Sequence, residues 1–249
     1  MNKLTEAWFE FKGVKSSDIG LYITQMPSRE LPVMDMNFHK VSGKSGSIRI
    51  SDGSYEDIQI SVQFKMLDVS NWDSAVNLLR GQGKLRFSDS QLYEYDAVVS
   101  DPPTMQYEMH RFDTQAFSVT FVCHPFRMLH TPAPDITVSS SGTSITNPGT
   151  ASSLPRIKVT GSGAFSLSIG GQTMFFTDVT SGVIIDSELG DVLTYDGSLL
   201  ANDKASGDLF EIQPGQSYVS WVEGGTNEQG QTVTGSVTDV VITPRWRYV

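Results

Sequence analysis

One stretch of this chain, residues 70–81, has the apolar spacing of an α-helix, and a single helix among strands restricts how the rest can fold. Trp72, Ala75, Val76 and Leu79 fall at i, i+3, i+4 and i+7, so they share one helical face, while Asp73, Ser74 and Asn77 take the other side. Ser70 is placed to cap the first turn, with Asp73 three residues on, and Gly81 can turn left-handed and end the helix. Such a helix cannot bury its apolar face alone. It must lie on a sheet, with Trp72, Val76 and Leu79 as its share of the core.

The remainder reads as strand and turn. Trp8, Phe9 and Phe11 open a first strand that ends at Gly13, and a second short one follows over 17–23. Pro27 and Pro32 break the pattern, since proline lacks the amide that a ladder needs. Residues 33–50 form a hairpin carrying Val33, Met34, Met36, Phe38, Ile48 and Ile50, with Ser42-Gly43-Lys44-Ser45-Gly46 as its tip and Asp52-Gly53 as the next turn. Ile58, Ile60, Val62 and Phe64 then hold strict period two, the clearest strand in the chain. After the helix come strands near 84–89, 92–99 and 105–112, and one over 116–123 with Phe117, Val119, Phe121 and Cys123 on one face.

At Thr131-Pro132-Ala133-Pro134 the composition shifts: Gly, Ser and Thr become common and only Lys158 and Lys204 remain of the lysines. Short strands follow closely, punctuated by Gly161-Ser162-Gly163, Gly170-Gly171, Asp196-Gly197 and Pro214-Gly215, and 223–231 has the polar, Gly-rich composition of an exposed loop. That spacing marks a sandwich or jelly roll. The expected fold is mainly β in two domains. Residues 1–130 make a β-sandwich or barrel-like domain with one helix and a hairpin arm; residues 131–249 make a second β-sandwich.

Hydrophobic residues make up 39%, enough for a core in each domain, yet no apolar run reaches the ~18 residues that span a bilayer. The N-terminus has no apolar signal region, and the one cysteine, Cys123, allows no intrachain disulfide, so folding in a reducing cytoplasm is expected. Net charge is −10: residues 1–130 hold 13 basic and 16 acidic side chains, and residues 131–249 hold 5 and 12. An acidic chain is a poor candidate to grip nucleic acid, which demands a basic stripe.

No catalytic motif emerges. Gly43-Lys44-Ser45 resembles the end of a phosphate-binding loop, but that loop needs a glycine five residues before Gly43, where Phe38 stands, and no helix follows. His39, His110, His124 and His130 form no ligand pair, Cys123-His124 alone is no zinc site, and the acids of 191–203 lack calcium-loop spacing. No metal or cofactor is expected. Cys123, on the inward face of a strand, reads as a small buried side chain. Nothing singles out two of the many carboxylates as a glycosidase pair.

The order of motifs carries more than any one of them. Asp18-Ile19-Gly20-Leu21, then 42–46, then Asp52-Gly53-Ser54-Tyr55-Glu56, the tryptophan helix, Leu85-Arg86-Phe87-Ser88-Asp89 and Phe117 through Pro125-Phe126 follow one another. Together they resemble the N-terminal module of the distal tail proteins of long-tailed phages and prophages of Gram-positive bacteria. Ile145-Thr146-Asn147-Pro148-Gly149-Thr150 and Pro244-Arg245-Trp246-Arg247 look like the C-terminal domain of the same family. The resemblance implies a structural protein of the virion tail tip with no enzymatic activity. It implies a homohexameric ring, built by the N-terminal domain with its helix and extended hairpin arm, and a galectin-like C-terminal sandwich. The implied partners are the tail tube protein above, the tail-associated lysin or fibre protein below, and receptor-binding proteins that assemble on the hub, with DNA passing through the centre. An acidic ring would suit such a conduit, because like charge keeps passing phosphates from sticking.

Two expectations follow for sites. A hairpin at 33–50 can hardly bury Val33, Met34, Met36, Phe38, Ile48 and Ile50 by itself, so these residues are expected at an oligomer interface. In the C-terminal domain Trp246 reads as core, which turns Arg245 and Arg247 outward as the choice for partner docking. Two other functions stay open beside the structural one: a carbohydrate-binding module or adhesin, and a glycan hydrolase. A sugar site needs an exposed aromatic platform with polar groups converging beside it, and the available aromatics are Tyr195, Tyr218, Trp221 and Trp246. Tyr218 and Trp221 lie three apart and would point to opposite faces of a strand, so residues 131–249 are expected to bind no simple saccharide.

Overall fold

A computed structural model describes residues 7–51, 53–66, 68–102, 115–226 and 232–249. The strand expected over 105–112, His110, Asp52 and the end of the loop expected over 223–231 lie outside the described residues. The chain divides into two compact units, one running to His130 and taking in Val249, the other Thr131–Tyr248. Among the described residues no helix is long and apolar enough to cross a membrane.

The first unit contains β1 (Phe9–Phe11), β2 (Val14–Lys15), β3 (Leu21–Gln25), β4 (Asn37–Lys40), β5 (Ser47–Ile50), β6 (Ile58–Met66), α1 (Trp72–Leu78), β7 (Gln82–Phe87), β8 (Tyr93–Asp101), β9 (Gln115–Cys123) and β10 (Arg127–Leu129). Seven strands form an antiparallel sheet in the order β2-β1-β7-β8-β9-β6-β3. Its registers bring the alternating apolar residues onto one face: Phe9 opposite Phe87, Phe11 opposite Leu85, Ala97 opposite Cys123, Ile60 opposite Phe121, Val62 opposite Val119, and Ile23 opposite Phe64. All of these are buried. The opposite positions of β6, Gln59, Ser61, Gln63 and Lys65, are exposed, so the period-two pattern is a half-buried strand.

α1 closes that apolar face. Ala75, Leu78 and Leu79 are buried in the core, whereas Trp72 and Val76 are half-buried, Trp72 meeting Phe117 edge-on at 5.6 Å. The helix is shorter than the 70–81 that the periodicity predicts. Residues Val69–Asn71 form a 3-10 turn, and no side chain caps the α-helix at Asn71. Instead, the Asp68 carboxylate accepts the N–H of Ser70 at 2.9 Å, so the acceptor that opens this turn is Asp68 rather than the Ser70 hydroxyl. Gly81, at φ +68, takes the left-handed conformation that turns the chain into β7.

The second unit contains β11 (Ile136–Val138), β12 (Thr143–Asn147), β13 (Arg156–Ile169), β14 (Gln172–Val179), β15 (Gly182–Asp186), β16 (Asp191–Thr194), β17 (Ala205–Gly207), β18 (Gly215–Glu223), β19 (Gly225–Thr226), β20 (Thr232–Val233), β21 (Gly235–Thr243) and β22 (Arg247–Tyr248). It is organised on β13. The first part of that strand lies between β15 and β21, and the second part between β14 and β18. Gly161-Ser162-Gly163, which in the sequence resembles a turn between two strands, is the bend where one 14-residue strand passes from one set of partners to the other. Gly163 sits at φ +76, and a Cβ there would come 2.2 Å from the Thr234 carbonyl oxygen; at Gly235 a Cβ would lie 1.8 Å from that of Ala164. Glycine is needed at this bend because two backbones approach too closely for any side chain. Inward from it lie Ile157, Val159, Phe165, Leu167, Ile169, Phe176, Val219, Val240 and Ile242, all buried.

Candidate assembly surface

The arm is a two-stranded ribbon of its own. Among the described residues β4 and β5 pair only with each other, Asn37 opposite Ile50 and His39 opposite Ile48, and every residue of both strands is exposed. At its base Met34 bridges to Tyr55, the Asp35 N–H donates to the Ser54 carbonyl at 2.9 Å, and the Glu56 N–H donates to the Val33 carbonyl at 2.9 Å. The Tyr55 ring rests edge-on against Phe126 at 5.2 Å, which fixes the base to the first unit. At the tip Gly43 and Gly46 take positive φ, as a loop between two extended segments requires.

The residues expected at an oligomer interface are placed as follows. Val33 is 64% exposed, Phe38 61%, Ile50 54%, and Met36 and Ile48 also face solvent, while Met34 is half-buried in the base. Pairing puts Phe38 beside Arg49, whose guanidinium sits 6.0 Å from its ring, on one face of the hairpin. Ile48 and Ile50 share the other face with His39 and Asn37. Apolar side chains thus project from both faces of a two-stranded ribbon, a form only marginally stable in water by itself. Val41 and Leu31 are also exposed, and the sequence does not mark them because neither fits the alternation of the hairpin.

In the second unit the two C-terminal motifs meet. Asn147, buried, donates through Nδ2 to the carbonyls of Ala151 and Ile212 and accepts the Gly149 N–H at 2.8 Å. The N–H groups of Thr150 and Ala151 donate to the Arg247 carbonyl, and the Ser153 hydroxyl donates to that of Arg245. Trp246 is buried. Arg245 does not project into solvent as the alternation around Trp246 suggests: it chelates Asp186 and reaches Glu188 at 3.1 Å, all within the unit. Arg247 is half-buried, and burial pulls its guanidinium below the ordinary arginine range.

No family model matches the chain, and no curated protein does. A solved structure matches along nearly its whole length: the Dit protein (gp 19.1) of SPP1, presented as a paradigm of the hub adsorption apparatus in phages infecting Gram-positive bacteria. The match covers 96% of this chain and 98% of that one, with a TM-score of 0.69 and 14% identity. The chain has the Dit fold. At that identity the likeness is one of fold.

Among the described residues, the nucleophilic and metal-ligating side chains singled out in the sequence are placed as follows. Cys123 is fully buried, and burial, with the nearby Asp57 charge, pushes its thiol up to about 12. His130 is engaged by Glu94 at 2.7 Å. Among the described residues no three His, Cys, Asp or Glu side chains are grouped to hold a metal ion. Tyr195, a possible sugar platform, is half-buried: the Lys158 ammonium lies 3.9 Å from its ring centre, a Cβ at Gly182 would touch its ring carbons, and the ring lines a cavity of about 290 Å³ with Ser181, Asp196 and Lys204.

The second unit does present one broad face. Ser144 and Thr146 of β12, Tyr218 and Val222 of β18, Ser166 and Ser168 of β13, and Thr173 and Phe175 of β14 alternate outward there. None is charged, in a half of the chain with a net charge of −7. Sequence reasoning missed this face because its neutrality emerges only when four strands are laid side by side.

Proposed function

We propose that this chain is a distal tail protein: a structural part of a phage tail tip that self-assembles into a hexameric ring joining the tail tube to the tail-associated lysin or fibre protein. DNA passes through the ring without specific binding, and receptor-binding proteins dock on its outside. The chain assembles in the host cytoplasm and acts in the virion. One observation carries this reading. Both units, in order and over almost the full length, match a hub protein of the adsorption apparatus. The arm supports the self-assembling part, since its exposed Phe38, Ile48 and Ile50 leave apolar surface that a monomer has no means to cover.

Residues 1–130 build the ring in this account, and 131–249 dock other tail proteins. The sequence pattern points to Arg245 and Arg247 for that contact. With Arg245 bound to Asp186, the neutral face around Tyr218 and Phe175 is the better-placed surface for a protein of the tail. Imaging of the purified protein in negative stain tests the proposal: six-fold rings with a central channel are expected, and dispersed single particles at all concentrations would overturn it.

Tyr218, 59% exposed on a hydroxyl-rich face, is the observation that favours the carbohydrate-binding alternative. The face lacks a converged platform, however. Phe175 lies two strands from Val222, and Val222 lies four residues from Tyr218, so the two rings stand roughly 15 Å apart. Calorimetric titration of the protein with galactosides and cell-wall fragments is expected to give no saturable heat.

A further inference from the structure

We propose that the cavity beside Tyr195 is a docking pocket for an acidic segment of a partner protein, with Lys204 and Lys158 receiving a Glu or Asp side chain. This deepens the docking reading of residues 131–249 and rests on it for the nature of the occupant. The cavity, about 290 Å³, lies between the turn 179–183, the stretch 194–196, and Ala201 with Lys204.

A glycine shapes it. Gly182 of β15 pairs with Thr160 of β13, and a Cβ on it would come 2.5 Å from Tyr195 Cδ2. With no Cβ in the way the Tyr195 ring crosses the strand, and its hydroxyl stands 3.4 Å from the Thr160 Oγ1. Lys158 lies two residues before Thr160, on the same side of β13, and brings its ammonium 3.9 Å from the ring centre. Arg156, two residues earlier again, borders the same loop: a Cβ at Gly197 would lie 3.9 Å from its Nη2.

Charge makes the place distinctive. Residues 131–249 hold five basic side chains and twelve acidic ones, and three of the five, both lysines among them, gather here. Neither lysine forms an ion pair with a described residue. Lys204 donates to the Asp178 carbonyl at 2.9 Å, which leaves two of its three N–H groups to a ligand. Arg156 reaches Asp186 only at 3.9 Å, and Arg245 already holds both oxygens of that acid. Asp196, the acid on the cavity, accepts the Thr194 hydroxyl at 2.6 Å and the Ser198 N–H at 3.1 Å, so its lone pairs turn back to its own loop.

On a unit of net charge −7, an anion is drawn to this cluster and repelled by the acids elsewhere. Size selects the kind of anion. Ligand pockets run about 300–1,000 Å³. This one is at the small end and takes a single side chain, its aliphatic stem against Val179, Val183 and the Tyr195 ring, rather than a chain of sugars. A free small acid would gain only screened charge pairs, each worth little alone. A docked protein adds the contact around the pocket, so the carboxylate belongs to a partner's segment.

Titration of the intact protein with a fluorescent, end-capped oligoglutamate peptide tests this by anisotropy. Saturable binding is expected, weakened about tenfold by raised salt. Lys158→Gln and Lys204→Gln should each weaken it about tenfold. Lys65→Gln, which removes the same charge from the exposed side of β6, should leave it unchanged. An oligoglutamine peptide should not bind, and free glutarate at equal carboxylate concentration should not displace the probe. Unchanged thermal melting confirms that the variants fold. Absence of oligoglutamate binding, equal weakening by all three substitutions, or displacement by glutarate would overturn the proposal, the last by making the cavity a site for free small acids. None of these failures touches docking on the neutral face, which has no charge for the peptide to meet; docking itself fails if no other tail protein binds the intact chain.

Discussion

The guanidinium of Arg245 donates one hydrogen bond to each carboxylate oxygen of Asp186, Nη1 to Oδ1 at 2.6 Å and Nη2 to Oδ2 at 2.9 Å. Asp186 ends β15 and is buried, and its Oδ1 also accepts the N–H groups of Glu188 and Leu189 at 3.2 and 3.3 Å. The pair ties the C-terminal Pro-Arg-Trp-Arg segment to the sheet across 59 residues of chain. Asp186→Ala should destabilise the second unit by about 2–3 kcal/mol. That is below the cost for a fully buried pair, because Arg245 keeps about a fifth of its side chain in solvent. Denaturant titration of wild type and variant reads it.

The same contact sets a pH dependence. The hydrogen bonds from Arg245, first of all, hold the Asp186 carboxyl below the usual carboxylate range. A group whose pKa is depressed on folding adds stability that is complete above its unfolded value and is lost as pH falls through the folded one. The second unit should therefore weaken as pH drops below about 4, the unfolded carboxylate value. Asp186→Asn should flatten that slope in thermal melts taken between neutral and strongly acid pH.

Gly163→Ala is expected to prevent the second unit from folding, or to cost about 4 kcal/mol or more, since it adds a clash with the Thr234 carbonyl to a left-handed φ. Gly171→Ala is the control. It also has positive φ but meets nothing within 4 Å, so it should cost only about 1 kcal/mol. Circular dichroism melts of the two variants separate close backbone approach from backbone strain.

In the first unit Leu79→Ala should cost about 2–5 kcal/mol through lost burial and the cavity left behind. Trp72→Ala should fall below the roughly 3–5 kcal/mol of a fully buried tryptophan, because Trp72 is only half-buried. Chemical denaturation followed by tryptophan fluorescence orders the two.

Cys123 should be inert to thiol reagents in the native protein and react fully once unfolded, since burial both shields the thiol and pushes it up to about 12. Stoichiometric labelling of the folded chain at neutral pH would contradict the burial.

These features differ in how far the sequence announces them. The face of β6 was legible because one side is core and the other solvent, which writes period two directly into Ile58, Ile60, Val62 and Phe64. The Dit fold was legible through the order of its motifs, each weak alone. β13 was not, because glycines chosen for close backbone approach have the same composition as glycines chosen for a turn. The pairing of Arg245 with Asp186 left no local trace, since its partners are far apart in sequence. The arm lies between these cases: apolar alternation revealed the hairpin, and only the structure revealed that every residue of β4 and β5 is exposed.

The mass of the purified protein in solution tests the central claim most directly. Sedimentation of the intact chain should give a species of six times the 27.3 kDa monomer, and deletion of residues 35–47 should give a folded monomer. A wild type that stays monomeric across the accessible concentrations, or a deletion that still forms the six-fold species, would contradict the account.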